Sequence, residues 1–190
     1  MKTLTIGNAR AALAARGDDL YETPREAVTA LLRVEQVPMH VWEPACGPGA
    51  IVSVLRTSGR VVVATDLVDY GCPESEGRRD FLFERSAPPD VEAIVTNPPF
   101  KLAEAFVQRA RQLVPRTYML LRLAFLESER RTDILESGDL ARVWLFRRRL
   151  PFMHRHGFDG PRCSNSGMAF AWYVWDRAHT GPTEIRRLSW

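Results

Sequence analysis

Seven segments of this chain alternate between two hydrophobic patterns, and that alternation limits the fold more than any other feature. HVWEPA, RVVVATDL, VEAIVTN and TYMLLRLAFL are short, nearly continuous apolar runs, while AIVSVLRTSG, LAEAFVQRARQLV and ERRTDILES between or after them are helix-like. A strand with one wet face alternates apolar and polar residues, whereas a parallel strand covered by helices on both faces reads as an unbroken apolar run. The order therefore predicts an α/β fold on a mostly parallel sheet. Two further strands, ARVWLF and MAFAWYVW, finish the series.

Upstream, YETPREAVTALL predicts a helix. Thr23 suits the N-cap, Pro24 the first helical position and Glu26 the third, which together make a capping box. Ala27, Val28, Leu31 and Leu32 then recur on one face. Residues 1–20, rich in alanine and glycine with a polar GDD turn, read as an N-terminal arm with one short helix. Residues 21–190 read as a single domain, and 190 residues suffice for a two-sided core without disulfides or metals. Between the last two strands lies a long basic loop, residues 147–167, rich in arginine, histidine, glycine and proline. Loops of that length without internal periodicity are often functional.

Several classes are excluded at this level. No apolar run approaches the roughly 20 residues a membrane span needs, and MKTLTIGNARAAL lacks the apolar core of a secretory signal. The expected location is the cytoplasm. Cys46, Cys72 and Cys163 are far apart, and His154, His156 and Cys163 match no metal-ligand spacing, so reduced thiols and no metal are expected. The net charge is only +3, with Lys2 and Lys101 the sole lysines, so charge alone is a weak pointer to nucleic acid.

Two motifs carry chemistry. In VWEPACGPG the first core strand runs into a turn holding Gly47 and Gly49, where glycine lets the backbone approach a ligand closely. The next strand ends at Asp66, 19 residues after Gly47, near the spacing of a ribose-binding carboxylate. Glu43 beside the turn would repel a pyrophosphate and attract an ammonium group, which favours a nucleoside carrying an amino acid over NAD. The second motif is VTNPPF. Two prolines after the apolar run VEAIV stop the strand and hold Asn97 extended.

EPACGPG, a strand ending in Asp66 and then TNPPF together resemble the class I S-adenosylmethionine-dependent methyltransferases that act on exocyclic amino groups, above all the DNA adenine-N6 methyltransferases. YETP resembles the aromatic-x-Thr-Pro segment that some of these carry before the glycine motif. The resemblance implies a Rossmann-like fold: a seven-stranded, mostly parallel sheet with the last strand antiparallel and helices on both faces. It implies S-adenosylmethionine as cofactor, with Glu43, Ala45, Gly47 and Gly49 at its methionine end. Asp66 would hold the ribose hydroxyls and Leu67 would lie on the adenine. Asp80 and Phe81 match an acidic-aromatic pair that meets the adenine amino group and ring. Tyr21 belongs to the same cofactor set, and Thr23 either reaches the cofactor carboxylate or only caps its helix.

The implied catalytic residues are Asn97, Pro98, Pro99 and Phe100. An exocyclic amine is a poor nucleophile because its lone pair is delocalised into the ring. Two acceptors on its N–H bonds, the Asn97 side-chain oxygen and the Pro98 carbonyl, redirect that lone pair. Prolines fix both acceptors in advance, so little reorganisation remains for the transition state. Phe100 would stack on the target ring, which in duplex DNA must first leave its stack. Arg147, Arg148, Arg149, His154, Arg155 and Arg162 of the basic loop are the candidate nucleic-acid contacts, since arginine forks suit phosphates. DNA is the expected partner, for a monomer or weak dimer. Methyltransferases for RNA amino groups or for the glutamine side-chain amide of proteins carry similar motifs, and a non-catalytic cofactor-binding module is a third reading.

Overall fold

The computed structural model describes residues 20–151 and 167–190. All of the N-terminal arm but Leu20, together with His154, Arg155, Arg162 and Cys163 of the basic loop, falls outside the described residues. Helix α1 (Arg25–Val34) leads into strand β1 (His40–Glu43), helix α2 (Ala50–Thr57) and strand β2 (Val61–Ala64). Strand β3 (Ala93–Thr96), helix α3 (Ala103–Leu113) and strand β4 (Arg116–Arg122) follow. A short helix α4 (Thr132–Leu135) precedes strands β5 (Leu140–Phe146), β6 (Phe170–Asp176) and β7 (Glu184–Leu188).

All seven strands form one sheet in the order β2-β1-β3-β4-β6-β5-β7. Strand β6 pairs antiparallel with both β4 and β5, and every other pairing is parallel. The expected antiparallel strand is therefore MAFAWYVW, and one more strand follows it. That strand, EIRRL, is mostly polar, and it is exposed except at Leu188. Short, charged strands are common at sheet edges, where one side stays in water, and they carry no apolar run for a sequence pattern to catch.

The interval from β2 to β3 is abbreviated. Residues 65–92 hold only an isolated bridge between Asp66 and Arg78 and a 3-10 turn, Phe81–Phe83, so no helix crosses over there. Phe81 of that turn takes the place of a helix: it is buried against Trp42, 5.2 Å between ring centroids, and against Phe106, 4.8 Å.

Each face of the sheet buries its own apolar layer, one against α1 and α2 and the other against α3 and α4. Trp172 and Trp175, an odd number of positions apart on β6, point to opposite faces. Trp172 donates its indole N–H to the Ala27 carbonyl of α1 at 2.9 Å, and Trp175 donates to the Ile134 carbonyl of α4 at 3.0 Å. Both are core residues that also satisfy a polar group of the covering helix. Among the described residues, no helix is long and apolar enough to cross a membrane.

The start of α1 differs from the capping box. The helix begins at Arg25, Pro24 occupies the N-cap with extended ψ, and no side chain caps it. The proline cannot donate a backbone hydrogen bond and its ring fixes φ, so the chain turns into the helix one residue later. Thr23, released from capping, uses its hydroxyl elsewhere.

Candidate active site

The strand order reverses between β1 and β3, because β2 lies on one side of β1 and the chain then crosses to the other. Open α/β sheets bind ligands in the crevice at such a switch point, beyond the carboxyl ends of the strands. A cleft of about 400 Å³ lies there. Its wall is drawn from the segments after β1 (Pro44, Ala45), after β2 (Asp66 to Val68) and after β3 (Asn97 to Leu102), with Leu20, Tyr21 and Asp80 to Leu82. The volume falls in the range of about 300–1,000 Å³ usual for small-molecule sites.

Of the expected cofactor and catalytic residues, Tyr21, Ala45, Asp66, Leu67, Asp80, Phe81 and the whole of Asn97, Pro98, Pro99 and Phe100 line this one cleft. Thr23, Glu43, Gly47 and Gly49 do not line it and instead support its wall.

Gly47 and Gly49 both adopt positive φ, +51° and +95°. The Gly47 amide donates to Asp66 Oδ2 at 2.8 Å, and the Val68 amide donates to Asp66 Oδ1 at 3.2 Å. This carboxylate is thus aimed by the turns that follow β1 and β2. A Cβ on Gly47 would stand 2.8 Å from Leu20 Cδ1, so the close approach that glycine allows here is made by Leu20. A Cβ on Gly49 would stand 2.9 Å from Cys72 Sγ. Cys46 and Cys72 are free, buried thiols in contact with each other, and burial above all pushes the Cys46 thiol up. A thiol held protonated in this way is a poor nucleophile.

Glu43 is completely buried at the end of β1. Its Oε1 accepts from Thr96 Oγ1 at 2.5 Å and from the Ala45 amide at 3.1 Å. Oε2 has no hydrogen-bond partner among the described residues. Burial raises its carboxyl well above the ordinary range, against the opposing pull of those two bonds. Its orphaned Oε2, next to Pro44 and Ala45 of the cleft wall, is a buried acceptor left for a polar hydrogen of the ligand. The aimed Asp66 carboxylate suits a pair of hydroxyls, and Leu67, Phe81, Leu82, Leu102 and Phe106 supply an apolar wall for a flat ring. This donor set fits a nucleoside that carries an amino acid.

Asp80 accepts from the Leu82 amide at 3.1 Å and so holds the 3-10 turn, while its neighbour Phe81 forms the cleft wall from within the core.

At the other end, Asn97 stands where β3 stops and Pro98 is buried. Its Nδ2 donates to Thr23 Oγ1 at 3.0 Å and to the Tyr21 carbonyl at 3.4 Å, and Oδ1 is buried. Phe100 is already packed: its ring stacks on Tyr21 at 5.1 Å and 22°, meets Phe170 at 5.8 Å, and has the Arg122 guanidinium 4.1 Å from its centroid. A free Phe100 platform is therefore not what the structure presents. Leu20, Thr96 and Arg122 were not expected at the site. Arg122 ends β4, the neighbour of β3, so only the strand order brings it to Phe100.

Arg147, Arg148 and Arg149 are exposed just after β5. Arg148 lies over the Trp190 ring at 3.9 Å and donates to the Trp190 carbonyl at 2.9 Å. These three can meet a polyanion; the other three expected contacts fall outside the described residues. No group of three or more potential metal ligands occurs among the described residues.

Comparison with solved structures identifies the architecture. A Pyrococcus horikoshii protein described as an RNA methyltransferase superposes with a TM-score of 0.59 at 13% identity, over 85% of this chain and 88% of its own. A modification subunit described as part of a type I restriction enzyme, from Vibrio vulnificus YJ016, gives 0.57 at 16% identity, over 88% of this chain and 47% of its own. A Listeria monocytogenes protein described as a class I S-adenosylmethionine-dependent methyltransferase gives 0.53 at 14% identity, over 85% and 62%. The fold is that of the Rossmann-like methyltransferases. No protein-family model matches the chain, and no curated protein matches it in sequence.

Proposed function

We propose that this protein transfers a methyl group from S-adenosylmethionine to an exocyclic amino group of a nucleic acid, with adenine N6 in DNA as the target. One observation carries the reading. The Asn97-Pro98-Pro99-Phe100 run leaves β3 in the same cleft as Asp66 and Ala45, so an amine-directing motif and a nucleoside-binding motif face one space. The cofactor supplies an electrophilic methyl on a sulfonium, and the remaining work falls to the chain. Asn97 Oδ1 and the Pro98 carbonyl accept the two N–H bonds of the amine and turn its lone pair towards the methyl. Acceptors suffice, because the nitrogen becomes acidic only after it has gained the methyl and a positive charge, and its surplus proton then passes to water. The aimed Asp66 orients the cofactor at its ribose part, and buried Glu43, by accepting from the Ala45 amide, fixes the wall beside its amino-acid part.

A nucleic-acid substrate is supported by the exposed Arg147, Arg148 and Arg149 and by the descriptions of the Pyrococcus and Vibrio proteins. Entry of a target base requires Tyr21 to shift, since its ring already stacks on Phe100 and Asn97 Oδ1 is buried beside it. Mass spectrometry of nucleosides from cells expressing the wild type and Asn97→Ala tests the proposal. N6-methyladenine in DNA with the wild type alone is the expected result. The same product confined to RNA reassigns the substrate, and methyl transfer only to protein, or cofactor binding without transfer, overturns the reading.

A further inference from the structure

An asparagine used as an acceptor has a problem that a carboxylate lacks: its amide has two ends of nearly equal size, and only one accepts. Rotated by 180°, Asn97 would meet the substrate amine with an N–H, donor against donor. Two prolines hold its backbone, yet they do nothing for this side-chain torsion.

The structure supplies a separate device. Asn97 Nδ2 lies 3.0 Å from Thr23 Oγ1 and 3.4 Å from the Tyr21 carbonyl oxygen. A backbone carbonyl can only accept, so the amide end that faces it has to be the NH₂. With two acceptors of one short segment on the NH₂, that end is fixed and the oxygen end is turned the other way. Thr23 is 6% exposed and lies 74 residues before Asn97 in the chain. It does not line the cleft, and it does not cap α1, whose N-cap is Pro24 with no side-chain cap. Its hydroxyl is thus spent on Asn97, and Pro24, by moving the helix start, is what leaves it available.

We propose that Thr23, together with the Tyr21 carbonyl, is a positioning residue that holds the Asn97 amide with its oxygen directed for acceptance from the substrate. The inference rests on the proposed function for the meaning of that orientation, though not for its existence. It assigns Thr23 a role at the amine end of the site, distinct from a contact with the cofactor carboxylate. The Tyr21 ring can rotate away from Phe100 about its own side-chain torsions while its backbone carbonyl stays on Asn97, so base entry and amide orientation are separable.

The test compares Thr23→Val, which keeps the shape and removes the acceptor, with Thr23→Ser, which keeps the acceptor. In steady-state transfer by the full chain, Thr23→Val is expected to lower kcat by about ten- to a hundredfold, the scale of a misplaced catalytic group. Cofactor Kd by calorimetry and KM for nucleic acid stay within about twofold of wild type, and Thr23→Ser restores kcat. A Thr23→Val enzyme with wild-type kcat, or one that loses cofactor affinity while kcat at saturation is kept, overturns the proposal. A second readout needs no activity. The Asn97 side-chain ¹⁵N–H₂ signals, assigned with Asn97→Asp, are expected to exchange slowly in the wild type and in Thr23→Ser and faster in Thr23→Val; equal exchange in all three overturns it. If no nucleic acid accepts a methyl from the wild type while this exchange pattern holds, the proposed function fails and the orienting contact stands.

Discussion

Glu43 and Thr96, 53 residues apart in sequence, share a hydrogen bond of 2.5 Å between the ends of the neighbouring strands β1 and β3. Both are completely buried, and the bond ties the glycine turn to the strand that delivers Asn97. Burial also holds the Glu43 carboxyl well above its ordinary value of 4.5.

A dependence of stability on pH follows. With the folded-state value raised, the native protein keeps a proton that the unfolded chain has already lost. Glu43 then contributes stability that is full below pH 4.5 and is lost as pH rises through the raised folded value. The slope in that window is at most about 1.4 kcal/mol per pH unit. Glu43→Gln has no such proton. Urea unfolding from pH 4.5 upward should show wild-type stability falling relative to Glu43→Gln; parallel curves would mean that Glu43 titrates normally.

Asp66 gives a second expectation. Both of its oxygens accept backbone N–H groups, from Gly47 at 2.8 Å and Val68 at 3.2 Å. Asp66→Asn replaces one acceptor with a donor facing an amide, and a hydrogen bond to a charged group is worth about 1.5–3 kcal/mol. Affinity for S-adenosylmethionine should fall roughly ten- to a hundredfold by calorimetry, with a modest drop in Tm. Unchanged affinity would remove Asp66 from the cofactor site.

The parts of this fold that are legible in the sequence are those whose signal is local. Unbroken apolar runs such as AIVT and the apolar face of Arg25–Val34 mark buried elements because each reports its own burial. Strand β7 is invisible for the same reason: four of its five residues face water, and only pairing with β5 makes it a strand. The cleft was legible where motifs carry it, from Ala45 through Asp66 to Asn97. Its non-local contacts were not. Thr23 looked like a cap because S/T-x-x-E is a local pattern, and only the fold brings Asn97 to its hydroxyl. Arg122 carries no motif, and its place over Phe100 depends on β4 lying beside β3.

Gly49 and Gly59 offer a matched pair for measuring what the glycine turn contributes. Both have positive φ, +95° and +87°, but a Cβ at Gly59 meets nothing within 4 Å, whereas at Gly49 it comes 2.9 Å from Cys72 Sγ. Gly59→Ala should therefore cost only the backbone strain, about 1–2 kcal/mol. Gly49→Ala should cost more, and adding Cys72→Ala should recover the excess alone. Denaturant midpoints at constant m-value would report this. Equal costs for the two glycines would mean that the turn at Gly49 yields freely.

Phe100 provides the last expectation, which separates its packing from its use. Its ring is held among Tyr21, Phe170 and the Arg122 guanidinium, so the side chain is oriented before any substrate arrives. On the proposed function, a target base that stacks there takes the place of a neighbour, and base–aromatic stacking is worth about 1–3 kcal/mol. Phe100→Leu should therefore raise KM for nucleic acid about ten- to a hundredfold while cofactor affinity holds. Phe100→Tyr keeps the ring and should remain within a few-fold of wild type. Should Phe100→Leu instead leave KM alone and lower only Tm, the ring would be a packing element of the Tyr21 segment, and the base would have to be held by other residues of the cleft.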